Sequence, residues 1–285
     1  MRQLPLVLEV LLVSIWLNMN LSKYVDIITS KSYIVVSEGD LSGSVITATE
    51  PVAVFSGNIR VGINAKSRDH IVEQLSPWAE ASNEWIVVAN GMTTEEIVKF
   101  TCTAGSTIQF PAYEDYSGDT FTFSASEGTA SATVPQNYAA KVTASGGNCQ
   151  LMLITISQAS KNHPFLGDPT MSAIVPVSQY ITSASFAIPV KPWRKLATGE
   201  VDDYKATLVV VALTTERSSI RLDGSAINSW QTISGSSYSV ARVEVTRKDN
   251  PEAAVLNSLN GEKFSARLWG VADRESFAYT LGIEY

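Results

Sequence analysis

Charge is scarce in this chain of 285 residues. Asp, Glu, Lys and Arg make up 17% of it, against about a quarter in ordinary globular proteins, and the balance is acidic, with a net charge of −7. Nucleic acid and anionic lipid surfaces are held by basic faces, so both drop out as partners. Histidine and cysteine occur twice each. That is too few for a zinc cluster or a dense disulfide framework. Long apolar runs are also missing. A spanning helix needs about 20 apolar residues, and no stretch reaches that length, so no membrane span is expected.

What fills the chain instead is apolar and hydroxyl-bearing. Apolar residues reach 45% and Ser plus Thr number 57, enough to bury a core and exclude general disorder. At the N-terminus Arg2 precedes the run from Leu4 to Leu17. A basic residue followed by a short apolar stretch is the layout of a secretory signal. Glu9 interrupts that stretch and no small-x-small cleavage site follows, so the alternative is the start of a domain cut short upstream. Asn20-Leu21-Ser22 is the sole N-x-S/T sequon, a glycan acceptor only in a secreted chain.

From Tyr24 onward short β-branched and aromatic runs are separated by Gly, Ser and Asn, the pattern of strands and hairpin turns. Ser32–Val36, Pro51–Phe55, Trp85–Val88, Leu151–Ile156 and Lys205–Leu213 are such runs. Thr120–Ser124 alternates strictly. Val240, Val243 and Val245 slip out of a single phase, which predicts a bulge or burial on both faces. Helix signals are few: Asp69–Leu75 could make two turns with Asp69 near the cap, and Thr93–Val98 is a weak capping box. The expected fold is all-β, with tandem β-sandwich-like units, two complete and one truncated, and few short helices.

Three segments end alike, in strand, polar turn and a more apolar strand: Asp40–Phe55, Tyr138–Ile154 and Ala254–Trp269. The openings of the last two also correspond, Trp85–Val88 leading to Ser106–Phe110 as Leu208–Ala212 leads to Ser218–Leu222. Self-similarity of this kind predicts repeated units. The division is 1–17 as signal or truncated start, 18–66 as an incomplete first β-unit, 67–165 as a second unit and 166–285 as a third. The first unit lacks room for its opening strands unless residues 1–17 supply one.

Cys102 and Cys149 both lie in strand contexts of the second unit and are read as a disulfide. Two buried free thiols are the alternative. No nucleophile elbow, phosphate loop, dinucleotide fingerprint or His-Glu-x-x-His occurs, and no cofactor is implied. Asp69, His70 and Glu73 form the one compact polar cluster. On a helix, His70 and Glu73 would share a face. A metal site would need more ligands, so a structural joint between units is the better reading. Asp168-Pro169 reads as a turn at a second joint, because proline turns the preceding residue away from helix. The aromatic loop Tyr113–Tyr116 and the tryptophans of two proline-rich joints, Trp78 and Trp193, could contact a partner or pack between domains.

An ordered set of motifs resembles one family. Pro51–Asn58 followed by Asp69–Pro77 resembles the N-terminal domain of the IgGFc-binding protein family. The resemblance continues through Glu84–Val88, Gly167–Met171, Val175–Tyr180, Ile220–Gly224, Gly235–Ser239 and Leu268 to Gly282, covering about residues 38–285. The sequence departs from the pattern at Ala81-Ser82, where Trp-Gly is expected. Two cysteines cannot build the von Willebrand D-type repeats of mucus-associated relatives. The resemblance implies an extracellular, β-rich, non-enzymatic binding or structural module, mucus- or matrix-associated, with a protein or glycoprotein ligand. The family's name implies antibody Fc, but no motif assigns a residue to that contact. Two other readings are a cell-surface adhesion ectodomain fragment and a secreted hydrolase with a β-sandwich accessory. The latter needs His70 or His163 beside a nucleophile or carboxylate.

Overall fold

The computed structural model describes residues 32–62, 68–78, 81–91, 94–124, 128–156, 167–189, 204–246, 253–272 and 275–283, and the backbone of two further strands at 11–17 and 21–27. The described chain is all-β: antiparallel sheets, two single 3-10 turns at Val177–Gln179 and Arg217–Ser219, and no closed barrel. Neither expected helix forms. Asp69–Gln74 and Glu95–Cys102 are strands. In both, alternate residues face a neighbouring layer, and that tertiary burial outweighs a weak local capping signal.

Eight strands are described in the second unit: β6 (Glu84–Val88), β7 (Glu95–Cys102), β8 (Thr107–Phe110), β9 (Asp119–Thr122), β10 (Gly128–Pro135), β11 (Ala139–Ser145), β12 (Cys149–Thr155) and β13 (Thr170–Ile174). They make two four-stranded sheets, ordered β6-β11-β8-β9 and β10-β7-β12-β13. Trp85, Val98, Phe100, Ile108, Phe110, Tyr138, Val142, Leu151 and Leu153 fill the space between them. Strand β7 buries every second residue, the period of a pleated strand with one face in a core.

The third unit follows as β14 (Ser183–Phe186), β15 (Lys205–Leu213), β16 (Ile220–Leu222), β17 (Ser225–Ala226), β18 (Trp230–Thr232), β19 (Tyr238–Val245), β20 (Ala254–Ser258), β21 (Phe264–Ala272) and β22 (Glu275–Thr280). Its sheets are ordered β14-β20-β16-β17 and β18-β19-β15-β21-β22. Taking β14 to β17 for β6 to β9, and β19 to β22 for β10 to β13, converts one unit's topology into the other's, with β18 as an added edge strand. The internal repeat is therefore a repeat of strand order and not merely of composition.

A third apolar layer joins the two sandwiches. Ile86, Val88 and Ala139 of one meet Val209, Val211, Val240, Trp269 and Val271 of the other. Strand β15 explains why the longest apolar run has no alternation: Ala206, Leu208, Val210 and Ala212 face the sandwich core, while Val209 and Val211 face this layer. Burying each Leu or Val completely contributes roughly 1.5–3 kcal/mol. The phase slip in β19 has the same cause. Ala241 and Val245 face the core and Val240 the joint, and β19 pairs with β15 without a register shift. Strand β13, beyond the sequence boundary at 165, pairs with β12, and Thr280 in β22 donates to its Ala173 carbonyl at 2.7 Å.

The first unit is smaller. Strands β1 (Leu11–Leu17), β2 (Leu21–Ile27) and β3 (Val45–Ala48) form a sheet ordered β2-β1-β3, and β4 (Phe55–Val61) pairs with β5 (Asp69–Gln74). The first set reproduces the order β9-β8-β11, and the hairpin reproduces β12-β13. Counterparts of β6, β7 and β10 are not among the described strands. The run Ser32–Val36 is not a strand, contrary to its sequence pattern, and Pro51–Val54 is also irregular, with β4 starting at Phe55. Gly57 is required where it stands, since a Cβ there would collide with the Ile71 carbonyl across the hairpin.

Candidate functional site

Asp69, His70 and Glu73 lie on β5, where the strand period separates what a helix would have gathered. His70 points outward, exposed, its Nδ1 3.0 Å from Asp69 Oδ1. Glu73 lies on the opposite face with Ile71, which packs against Ile154 and Met171 of the second unit. Burial raises the Glu73 carboxyl above its usual range, and the Gln74 and Ala173 amides partly offset this. His70 and Glu73 thus do not form a pair. The only partner of His70 among the described residues is its neighbour.

Asp168 and Pro169 are buried at the entrance to β13. The Asp168 amide donates to Ser276 Oγ at 2.8 Å and the Gly167 amide to the Ala272 carbonyl at 3.0 Å. This turn therefore touches the β21–β22 hairpin of the third unit. Asn20, His163 and Trp193 lie outside the described residues.

Cys102 and Cys149 are disulfide-bonded. They face each other in register across β7 and β12, both fully buried. The bridge joins the two central strands of one sheet and points into the core between the sheets.

One buried polar network was not anticipated from the sequence. The Asn90 amide donates to both Glu96 carboxylate oxygens at 3.0 Å, and its side-chain amide donates to Thr155 Oγ1 at 2.6 Å. From the third unit, Arg267 donates through Nε to Asn90 Oδ1 at 3.0 Å and through its terminal nitrogen to the Val88 carbonyl at 2.6 Å. Arg242 donates to the Ala89 carbonyl at 3.0 Å. Burial lowers Arg267 to about 10, against the raising influence of Glu96. A small cavity of about 20 Å³ borders Arg267, Val88 and Val209, room for one water molecule. A substrate has no room there, so the network acts as a joint. No motif marks it, because its side chains come from five separate strands and loops.

The aromatic loop also turns inward. Tyr113 and Tyr116 exchange backbone hydrogen bonds at 2.9 Å and set their rings edge-on to the buried Tyr138. Tyr116 donates to Asp119 at 2.7 Å, and burial raises its phenol above the usual value. Trp78 stays 40% exposed.

Exposed apolar surface is concentrated elsewhere. Among the described residues, ten of the twelve large exposed hydrophobic side chains lie between Tyr33 and Trp78; the exceptions are Val255 and Leu259. Phe55 and Val72 share the outer face of the β4–β5 hairpin, away from Ile71. The family model described as IgGFc binding protein matches residues 17–270. The chain belongs to this family. No curated protein and no solved structure matches it significantly. A chain of the IgGFc-binding family is a binding module, and among the described residues most of the exposed large apolar side chains lie between Tyr33 and Trp78.

Proposed function

We propose that the chain is an extracellular, non-enzymatic module that binds a protein or glycoprotein ligand through its first β-unit, with the two complete sandwiches as scaffold. The observation that carries this reading is the crowding of exposed apolar side chains into residues 33–78 of a chain that belongs to a binding family. Exposed apolar patches mark interaction sites, and Phe55 and Val72 share one face of the β4–β5 hairpin. The core disulfide supports an oxidising compartment, and with it secretion and a mucus or matrix setting. In this reading Asp69, Glu73, Asp168 and Pro169 serve as joints that hold the units in place.

Purified IgG Fc and purified mucin, each passed over the immobilised full chain, test the proposal. Saturable binding of either, weakened at least tenfold by Phe55→Ser with Val72→Ser, supports it. Absence of binding by both probes, or binding indifferent to these substitutions, overturns it.

A further inference from the structure

The dipeptide Asn-Gly occurs twice in the chain, at Asn90-Gly91 and Asn260-Gly261. The backbone nitrogen that follows an asparagine is able to attack the side-chain amide carbon and close a five-membered ring. Glycine, with no Cβ to crowd the approach, opposes this least. How firmly the fold holds each pair decides whether the reaction proceeds.

Asn90 is held at three polar atoms. Its backbone amide donates to Glu96, its Nδ2 donates to Thr155 and its Oδ1 accepts from Arg267. The residue is only 2% exposed. Ring closure there would have to break the joint between the second and third units.

Asn260 has the opposite surroundings. It lies with Gly261 in the loop between β20 and β21, and both are exposed. Its side chain makes one hydrogen bond among the described residues, from Nδ2 to Glu262 Oε1 at 3.1 Å, and an exposed bond of this kind competes with water. The Gly261 amide has no hydrogen-bond partner among the described residues. Gly261 stands at φ +83°, and a Cβ built on it would meet nothing within 4 Å. Neither the attacking nitrogen nor the approach to it is obstructed.

We infer that Asn260 is a site of spontaneous deamidation in the folded protein, while the fold protects Asn90. The Gly261 nitrogen gives its proton to a solvent base and bonds to Asn260 Cγ. The Cγ–Nδ2 bond breaks, and ammonia leaves carrying a proton in return. Water then opens the succinimide at either carbonyl, giving aspartate or, with the main chain routed through the side chain, isoaspartate. Water is the sole co-reactant, and nothing is oxidised or reduced. The product adds one negative charge to a chain already at −7. It also takes a donor from Glu262, whose carboxyl is held down at about 2 by the Ser258 and Ser219 hydroxyls, with a smaller part from Asn260. A second carboxylate beside it raises Glu262 toward its ordinary range. The open space around Gly261 accommodates the longer main chain, so the third sandwich stays folded.

The test incubates the full chain at mildly alkaline pH, folded and in urea, and follows peptides from both sites by mass spectrometry. In the folded chain Asn260 should convert at least ten times faster than Asn90, at a rate that rises with pH, and give isoaspartate as well as aspartate. In urea the two should convert at similar rates. Gly261→Ala should slow the conversion at least tenfold. Asn260→Gln, whose ring would have six members, provides a second reading should alanine at a positive φ disturb the loop. Conversion of Asn260 in the folded chain less than tenfold faster than that of Asn90 overturns the inference. So does aspartate without isoaspartate, which would mean direct hydrolysis, or a rate that survives both substitutions.

Discussion

Removing the disulfide by Cys102→Ala with Cys149→Ala has a magnitude that follows from the structure. The bridge closes a loop of 47 residues, which in the chain-entropy treatment stabilises the folded state by about 4 kcal/mol. Both positions are fully buried between the sheets, so the lost sulfur contacts add about 1 kcal/mol. How this reads as a melting temperature depends on what unfolds together. A sandwich of about 100 residues melting alone would fall by roughly 20–40 °C, and a pair of about 200 residues by roughly 10–20 °C. The apolar layer between the sandwiches and the arginines crossing it couple the two, so the smaller range is expected. Calorimetry of parent and variant measures the shift directly. A drop under about 3 °C would refute the reasoning, as would two alkylatable thiols in the unreduced, denatured parent.

Three further outcomes are expected. Arg267→Met removes the hydrogen bond to Asn90 and a buried positive charge that faces Glu96 and should cost about 3–5 kcal/mol in urea unfolding; adding Glu96→Gln should restore part of the loss. Glu73 has its carboxyl pKa raised by burial, so the folded state holds its proton more tightly than the unfolded chain, and stability declines as pH rises from the unfolded value through the folded one. Glu73→Gln should therefore raise the melting temperature at pH 7 and lose that advantage below about pH 4. Asp40 is held down to about 2 by the Lys99 ammonium, 2.8 Å away, and by Ser42. Its contribution is present above the unfolded pKa and lost as pH falls through about 2. Because the pair is largely exposed, Lys99→Met should change stability by less than about 1 kcal/mol, an effect that shrinks further in high salt.

Comparison of units placed the closing hairpins correctly but misaligned the openings: Leu208–Ala212, matched in sequence to Trp85–Val88 of β6, lies in β15, the counterpart of β7. Lys205–Leu213 is a strand with the same limits in sequence and structure, because an apolar run buried on both faces has no competing signal. Asp69–Leu75 misled for the opposite reason. Its polar residues at i and i+4 spacing suit a helix, but Ile71 is drawn into contact with Ile154 and Met171, and only a strand paired with β4 delivers it there. The two cysteines could be assigned to one sandwich but not to facing register positions, which depend on the pairing of β7 with β12. The Asn90–Glu96–Arg267 network was illegible because Arg267 lies 177 residues from its Asn90 partner, a distance that no local pattern spans.

The exposed run Ser32–Val36 carries the larger lesson. Its composition is that of a strand, and β-propensity measures the fit of side chains to neighbouring strands more than any preference of the backbone alone. In the second unit the equivalent segment pairs along its full length with β7. In the first, the same kind of sequence pairs with no strand among the described residues and is irregular. The disagreement between pattern and conformation at Ser32–Val36 is thus one of neighbours and not of composition.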